Sequence, residues 1–480
     1  MERVTTLVAA LGLLALGSWL GFVLHVRHPE FHAGGSGAGV KTPPARKRVS
    51  TADGDDLDQV DALHYAVHDP LAITPTDWTA AGQFVRPPPT ALDAFADGEY
   101  PRTVPLPEVL RRWNPDNVTI PTPFVETLQV FNYSDPVERA MAEDYRDAEL
   151  PFKVYDVPTI EAVRRKWSDA YLVDAMDAPR TRSRFGGGDS GGETSPPHRA
   201  KVQFKVEQSD NNHFMYWQHK SGVSSLYREW SPPTRIVTGV TFKTWLEWAR
   251  AADADEQDAE TTHHYLMLGT PPLSALNRGR RRASKTAESG AENRLRARAK
   301  APAFDHFVSA DLDIFTPETE NFFVTDTAAN KGIQCRFGMR GVIAEAHYDG
   351  GRNMVAMLKG AKRYVLTPPS SCHRLTIIRD RRHPSFRHST TDWSHQTDAE
   401  ANLDKAHAID TVVREGEILY IPSYWIHYIV SLKYSIQCNT RSGSPPNHEG
   451  EEEVKLCVGE ENTRKNPEVR GGAGAGQRPR

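Results

Sequence analysis

From about residue 304 to 442 the chain breaks into short runs rich in Ile, Val, Tyr and Phe, separated by Gly and Pro. They read IQCRFGMR, VIAEAH, NMVAML, KRYVLTPP, EILYIP, WIHYIVSL and YSIQCNT, and each has the texture of a β-strand. Seven short strands with turn signals and no amphipathic helices between them predict a β-sandwich or barrel, not an alternating parallel sheet. Upstream, TIEAVRRKWSDAYLV places Ile160, Val163, Trp167 and Tyr171 on one helical face after Thr159 as N-cap. The run TFKTWLEWARAA repeats this with Phe242, Trp245 and Trp248 after Thr241, so two helices are expected to pack on the sheet.

Composition marks what lies around this region. Residues 33 to 60 are rich in Gly, Pro, Ser, Asp and basic residues without apolar periodicity, which reads as a stem. Val4 to Val26 carries no charge between Arg3 and Arg27, a length that suits a bilayer, so a signal anchor is favoured over a cleaved signal or a buried helix. The expected layout is a transmembrane anchor over 1–30, a largely irregular stem over 31–115 and a β-rich domain over 116–445. That domain carries loop insertions at 178–200 and 276–302, and a flexible tail covers 446–480. The second insertion is strongly basic but lacks interleaved aromatics, so no nucleic-acid partner is expected.

Charge and cysteine change the picture little. Basic and acidic residues nearly balance, 58 against 62, so a charged partner would need a local patch. Positive flanks after the apolar segment favour a cytoplasmic domain. The sequons Asn117-Val118-Thr119 and Asn132-Tyr133-Ser134 favour the lumen of the secretory pathway, and the expectation is a single-pass type II protein with a lumenal domain in the ER or Golgi. Cys335, Cys372, Cys438 and Cys457 are too few for a disulfide framework. Cys335 and Cys438 read as small buried thiols, although one disulfide is conceivable.

The candidate chemistry lies in AEAHYDGGRNMVAMLKGAKRYVLTPP, where His347 and Asp349, two apart on a strand, point to one face. His427, among Trp425, Ile426, Tyr428 and Ile429, offers a third ligand, although a lone buried histidine is more often a satisfied core residue. Two histidines and one carboxylate are the facial set of non-haem Fe(II) oxygenases.

H-Y-D, then N, then K-G-x-K-R, then G-E-I-L-Y-I-P-x-Y-W-x-H, resembles the JmjC and cupin-like 2-oxoglutarate oxygenases, and within them the asparaginyl-hydroxylase-type branch. The resemblance implies a double-stranded β-helix, Fe(II) held by His347, Asp349 and His427, and Lys362 on the far carboxylate of 2-oxoglutarate. It further implies that Asn353 and Asn439 line the pocket and that Tyr265 reaches the same carboxylate as Lys362. Lys359, three residues before Lys362, reads as solvated. Ala344 and Met267 depart from the pattern, where the family often has polar side chains. The loop with Arg379, Arg381, Arg382, His383, Arg387 and His388 would overhang the site; it could select an acidic substrate segment or be a solvated run. The expected activity is hydroxylation of a protein or peptide side chain. The alternatives are a non-catalytic cupin-like binding module and a lysine demethylase.

Overall fold

The computed structural model describes residues 84–177, 204–217, 232–254, 262–272, 307–395, 403–446 and 448–459, all within the unit Asp61–Arg480. The apolar N-terminal segment and both expected insertions lie outside the described residues. Among the described residues no helix is long and apolar enough to cross a membrane.

Among the described residues nine short strands come first: β1 (Phe84–Val85), β2 (Val104–Pro105), β3 (Phe124–Val125), β4 (Val130–Asn132), β5 (Phe152–Tyr155), β6 (Phe204–Ser209), β7 (His213–Phe214), β8 (Arg235–Val237) and β9 (His263–Thr270). Eight more form the barrel: β10 (Ile333–Gly338), β11 (Ile343–Tyr348), β12 (Asn353–Lys359), β13 (Ala361–Thr367), β14 (His407–Arg414), β15 (Ile418–Ile421), β16 (Ile426–Ser431) and β17 (Ser435–Arg441). A nine-stranded sheet runs β4-β5-β15-β12-β17-β10-β9-β6-β8, and a six-stranded sheet runs β2-β14-β13-β16-β11-β7. The eight barrel strands pair antiparallel and divide between the two sheets, β10, β12, β15 and β17 against β11, β13, β14 and β16. That is the double-stranded β-helix the resemblance implies, and a barrel of the kind the strand pattern predicts.

The seven strand-like runs all form strands. The eighth, β14, escaped notice because Asp410 and Arg414 interrupt its apolar pattern. Asp410 is there to pair with the buried Arg363 on β13, 2.8 Å at each of two contacts. Gly360 makes the turn that carries the chain from β12 in one sheet to β13 in the other. Its φ is +71°, and a Cβ there would lie 2.2 Å from the Tyr434 carbonyl oxygen.

Helices bury the outer faces of both sheets, so the barrel strands are buried on both sides and read as nearly unbroken apolar runs. Phe242–Ala254 begins as expected, with Thr241 Oγ1 accepting from the Thr244 amide at 3.1 Å. The other predicted helix is two, Pro158–Lys166 and Asp169–Asp177. Proline at the first helical position moves the N-cap to Val157. The break falls where the Trp167 indole turns to donate to Asp311 at 2.8 Å.

Two expectations about the flanks are corrected. Within the supposed stem, helix Leu106–Arg112 buries Leu106, Val109 and Leu110 against the six-stranded sheet, and Trp113 stacks under Arg363 at 4.2 Å. Within the supposed tail, helix Glu449–Val458 joins the same apolar cluster. The cysteines are also paired, not free: Cys335–Cys438 directly opposite one another on β10 and β17, and Cys372–Cys457 tying the C-terminal helix to the segment after β13.

Candidate metal centre and cavity

His347 and His427 are register partners on neighbouring strands β11 and β16, with ring centroids 4.3 Å apart. A bulge makes this possible. Ala344 pairs with Ile429 and His347 with His427, so three steps on β11 oppose two on β16. Ala344 and His347, an odd number apart, therefore both line the cavity between the sheets, and Asp349, two further on, follows His347 to that side. The ligand-capable atoms of His347, Asp349 and His427 lie within 4.8 Å of one another.

Each imidazole is aimed by its own backbone. His347 Nδ1 donates to the Glu345 carbonyl at 2.7 Å and His427 Nδ1 to the Trp425 carbonyl at 3.1 Å, which fixes the tautomer and leaves Nε2 as the lone-pair nitrogen. Burial lowers both histidines' proton affinity. His427, also beside His347, is pushed down to about 3, so both rings are neutral at physiological pH, as metal ligands must be. Burial would raise the Asp349 carboxyl, but Arg441 and then the two histidines outweigh it and hold it well below the usual carboxylate range. Arg441 forms an ion pair with Asp349 Oδ1. Two neutral imidazoles with free Nε2 and one ionised carboxylate are the right donor set for a divalent first-row metal.

The triad lies on the wall of a cavity of about 930 Å³. Asn353 and Asn439 line it and are joined, Asn439 Nδ2 donating to Asn353 Oδ1 at 2.8 Å. Tyr265 lines it from β9, its hydroxyl raised to about 12 by burial. Lys362 faces inward from β13 and lies behind Tyr265, with its ammonium 5.2 Å from the ring centroid. It is fully buried, and burial followed by the nearby Arg336 pushes it down to about 7. Lys359 is not solvated as expected: it pairs with Asp169 at 2.6 Å and lies over the Tyr434 ring.

Arg336 is the cavity residue the sequence reading missed. It extends from β10 opposite Met267 on one neighbour and Gln437 on the other, and all three line the cavity. Its guanidinium donates a long hydrogen bond, 3.3 Å, to the Cys335 carbonyl. The cation thus stands directly beside Met267, where the resemblance implied a polar side chain.

The arginine-rich loop between β13 and β14 is folded over the site. Ser389 N donates to the Ala346 carbonyl at 2.8 Å and Ile378 N to the His388 carbonyl at 2.8 Å. His388 stacks on His347 with centroids 4.7 Å apart, and Ser385 and His388 are buried. Arg381, Arg382 and Arg387 line the cavity from this loop.

Fold and site together define a double-stranded β-helix carrying a two-histidine, one-carboxylate centre. The model of the cupin-like domain family matches residues 138–440, well over half of the chain, and the protein belongs to that JmjC/cupin-like family. It is 27% identical over 146 residues to a lysine-specific demethylase, JMJ30, of Arabidopsis thaliana, covering 29% of this chain and 31% of that one. It is 30% identical over 81 residues to tRNA wybutosine-synthesizing protein 4 of Aspergillus oryzae, 17% of this chain and 7% of the relative. The chain thus matches less than a third of either relative's length.

Proposed function

We propose that the protein is an Fe(II)- and 2-oxoglutarate-dependent oxygenase that hydroxylates a side chain of a protein or peptide. The observation that carries this is the triad of His347, Asp349 and His427 on the wall of a cavity that is also lined by the half-buried Arg336, with the buried Lys362 behind the cavity-lining Tyr265. The three ligands would hold the metal. Lys362 and Arg336 would meet the distal carboxylate of the co-substrate, because a buried ammonium and guanidinium are costly unless an anion joins them. The joined amides of Asn353 and Asn439 would orient polar groups near the metal, and apolar walls such as Val355 and Ile429 would keep water out. Iron with 2-oxoglutarate supplies the oxidising power to remove a hydrogen from an unactivated C–H bond.

Ala344 and Met267, both on the cavity wall, favour a second reading, a binding module that keeps the barrel without turnover. Lysine demethylation, the activity in one relative's name, would begin from the same hydrogen removal. For location we favour the secretory lumen. Two disulfides suit an oxidising compartment, and Asn117 is exposed, with each sequon asparagine accepting from the amide two residues on at 2.9 Å. The test is calorimetry of the Fe(II)-loaded full chain with 2-oxoglutarate under argon, followed by carbon dioxide release in air. The expected result is saturable binding and turnover, with His347→Ala and Asp349→Ala losing metal itself. Iron held firmly without any 2-oxoglutarate binding would make the binding module the correct reading.

A further inference from the structure

The cavity has more positive charge than a metal and its co-substrate can use. Among the described residues five arginines line it, Arg336, Arg381, Arg382, Arg387 and Arg441, against two carboxylates, Glu207 and Asp349. Pairing Arg382 with Asp380 and Glu207 with Lys205 leaves the balance unchanged, because one charge of each sign is removed. A dication and a dicarboxylate cancel, so the surplus of positive charge survives loading of the site.

The surplus is placed at the mouth. Arg387, in a left-handed backbone conformation with φ +79°, packs its guanidinium over Tyr348 and Phe386 at 5.7 and 5.5 Å, and no carboxylate pairs with it among the described residues. The loop that presents it is pinned to the barrel through Ser389 and His388, so the charges are held in place instead of trailing in solvent. Tyr216, 52% exposed, lines the same mouth, and beside it Trp217 meets the His383 ring at 5.8 Å.

We propose that this mouth is the docking surface for an acidic polypeptide segment, whose Asp or Glu side chains lie on Arg381 and Arg387 while a neighbouring residue reaches the metal centre. The proposal rests on the oxygenase reading for what happens to that neighbouring residue, but not for binding. Guanidinium forks match carboxylates in two-point geometry, and a cleft lined by one sign of charge concentrates the opposite one. A nucleic-acid backbone fits less well, since it needs basic charge continuing beyond the cleft. Here Asp116 and Asp392 act on His213, next along β7 from the cavity-lining Phe214.

The test uses the full chain loaded with Mn(II) and 2-oxoglutarate without oxygen, and three fluorescent probes: a ten-residue peptide of alternating Asp and Ala, its Lys/Ala counterpart, and a ten-nucleotide single-stranded RNA. The expected result is binding of the acidic peptide alone, weakening as salt is raised. Arg387→Glu and, separately, Arg381→Glu should each lower that affinity about 10-fold or more, while Mn(II) content stays at the wild-type level. Preference for the RNA, equal binding of both peptides, or acidic-peptide affinity unmoved in both folded variants would overturn the proposal. Acidic-peptide binding that persists in a chain unable to bind 2-oxoglutarate would sustain it while the oxygenase reading fails.

Discussion

Arg441, at the end of β17 in one sheet, is ion-paired with Asp349, just past β11 in the other, so the carboxylate of the candidate metal centre is held from across the cavity. The guanidinium keeps Asp349 ionised, yet it also places a positive charge beside a site for a dication. Arg441→Ala should therefore tighten Mn(II) at pH 7.5, by roughly fivefold for a like-charge repulsion on the order of 1 kcal/mol. It should also raise the pH at which metal is lost on acidification, because the carboxyl then protonates more readily. Metal titration at two pH values reads both effects. Weaker binding at pH 7.5 would show that aiming the carboxylate matters more than repulsion.

Arg336 lies beside the Met267 gap, and its assigned task is the far carboxylate. Arg336→Gln should weaken 2-oxoglutarate by about 10- to 100-fold, the effect of one charged hydrogen bond worth roughly 1.5–3 kcal/mol. It should leave 2-oxopentanoate, which lacks that carboxylate, unchanged. Calorimetry with both oxo acids measures the contrast, and an equal loss for the two would assign Arg336 a structural role only.

On the oxygenase reading, Lys362 should give the co-substrate affinity a pH dependence. In the free protein its ammonium is pushed down to about 7, first by burial and then by Arg336, and a dicarboxylate binds the protonated form. Affinity should be constant below that pH and fall by about tenfold per unit above it, with a proton taken up on binding. Lys362→Met should bind more weakly and show no such slope. A slope that persists in Lys362→Met would trace the effect to another group.

The Cys372–Cys457 bond closes 85 residues of chain and holds the C-terminal helix on the six-stranded sheet's outer cluster. Its removal by Cys457→Ser should cost about 2–4 kcal/mol, seen as a lower Tm. Expression in a secretory cell should yield a chain that moves faster on a gel without reductant than with it, and that loses mass to a glycosidase acting at Asn117 or Asn132. Four titratable thiols and no sugar would put the domain in the cytoplasm.

The sequence by itself determined the strands and the candidate ligands. Branched and aromatic runs bounded by Gly and Pro form β structure almost wherever they fold, and seven such runs did so here; His347 and Asp349, two apart, share a face in any extended chain. Which face meets what was decided by tertiary structure. On β10 the apolar residues Cys335 and Phe337 belong to the cluster that continues under the helices, Phe337 meeting Phe242 and Trp245, while Arg336 and Gln334 line the cavity. The strand's polar face thus points inward, the reverse of what alternation suggests. A period of two says which side chains share a face, and only packing says whether that face meets water or a cavity. The same limit hid the cysteine pairs, because register across strands joins Cys335 to Cys438 over 103 residues. It also hid the bulge before His347, since one extra residue on β11 turns that histidine from the outer face toward His427, and no local pattern encodes a partner strand's count.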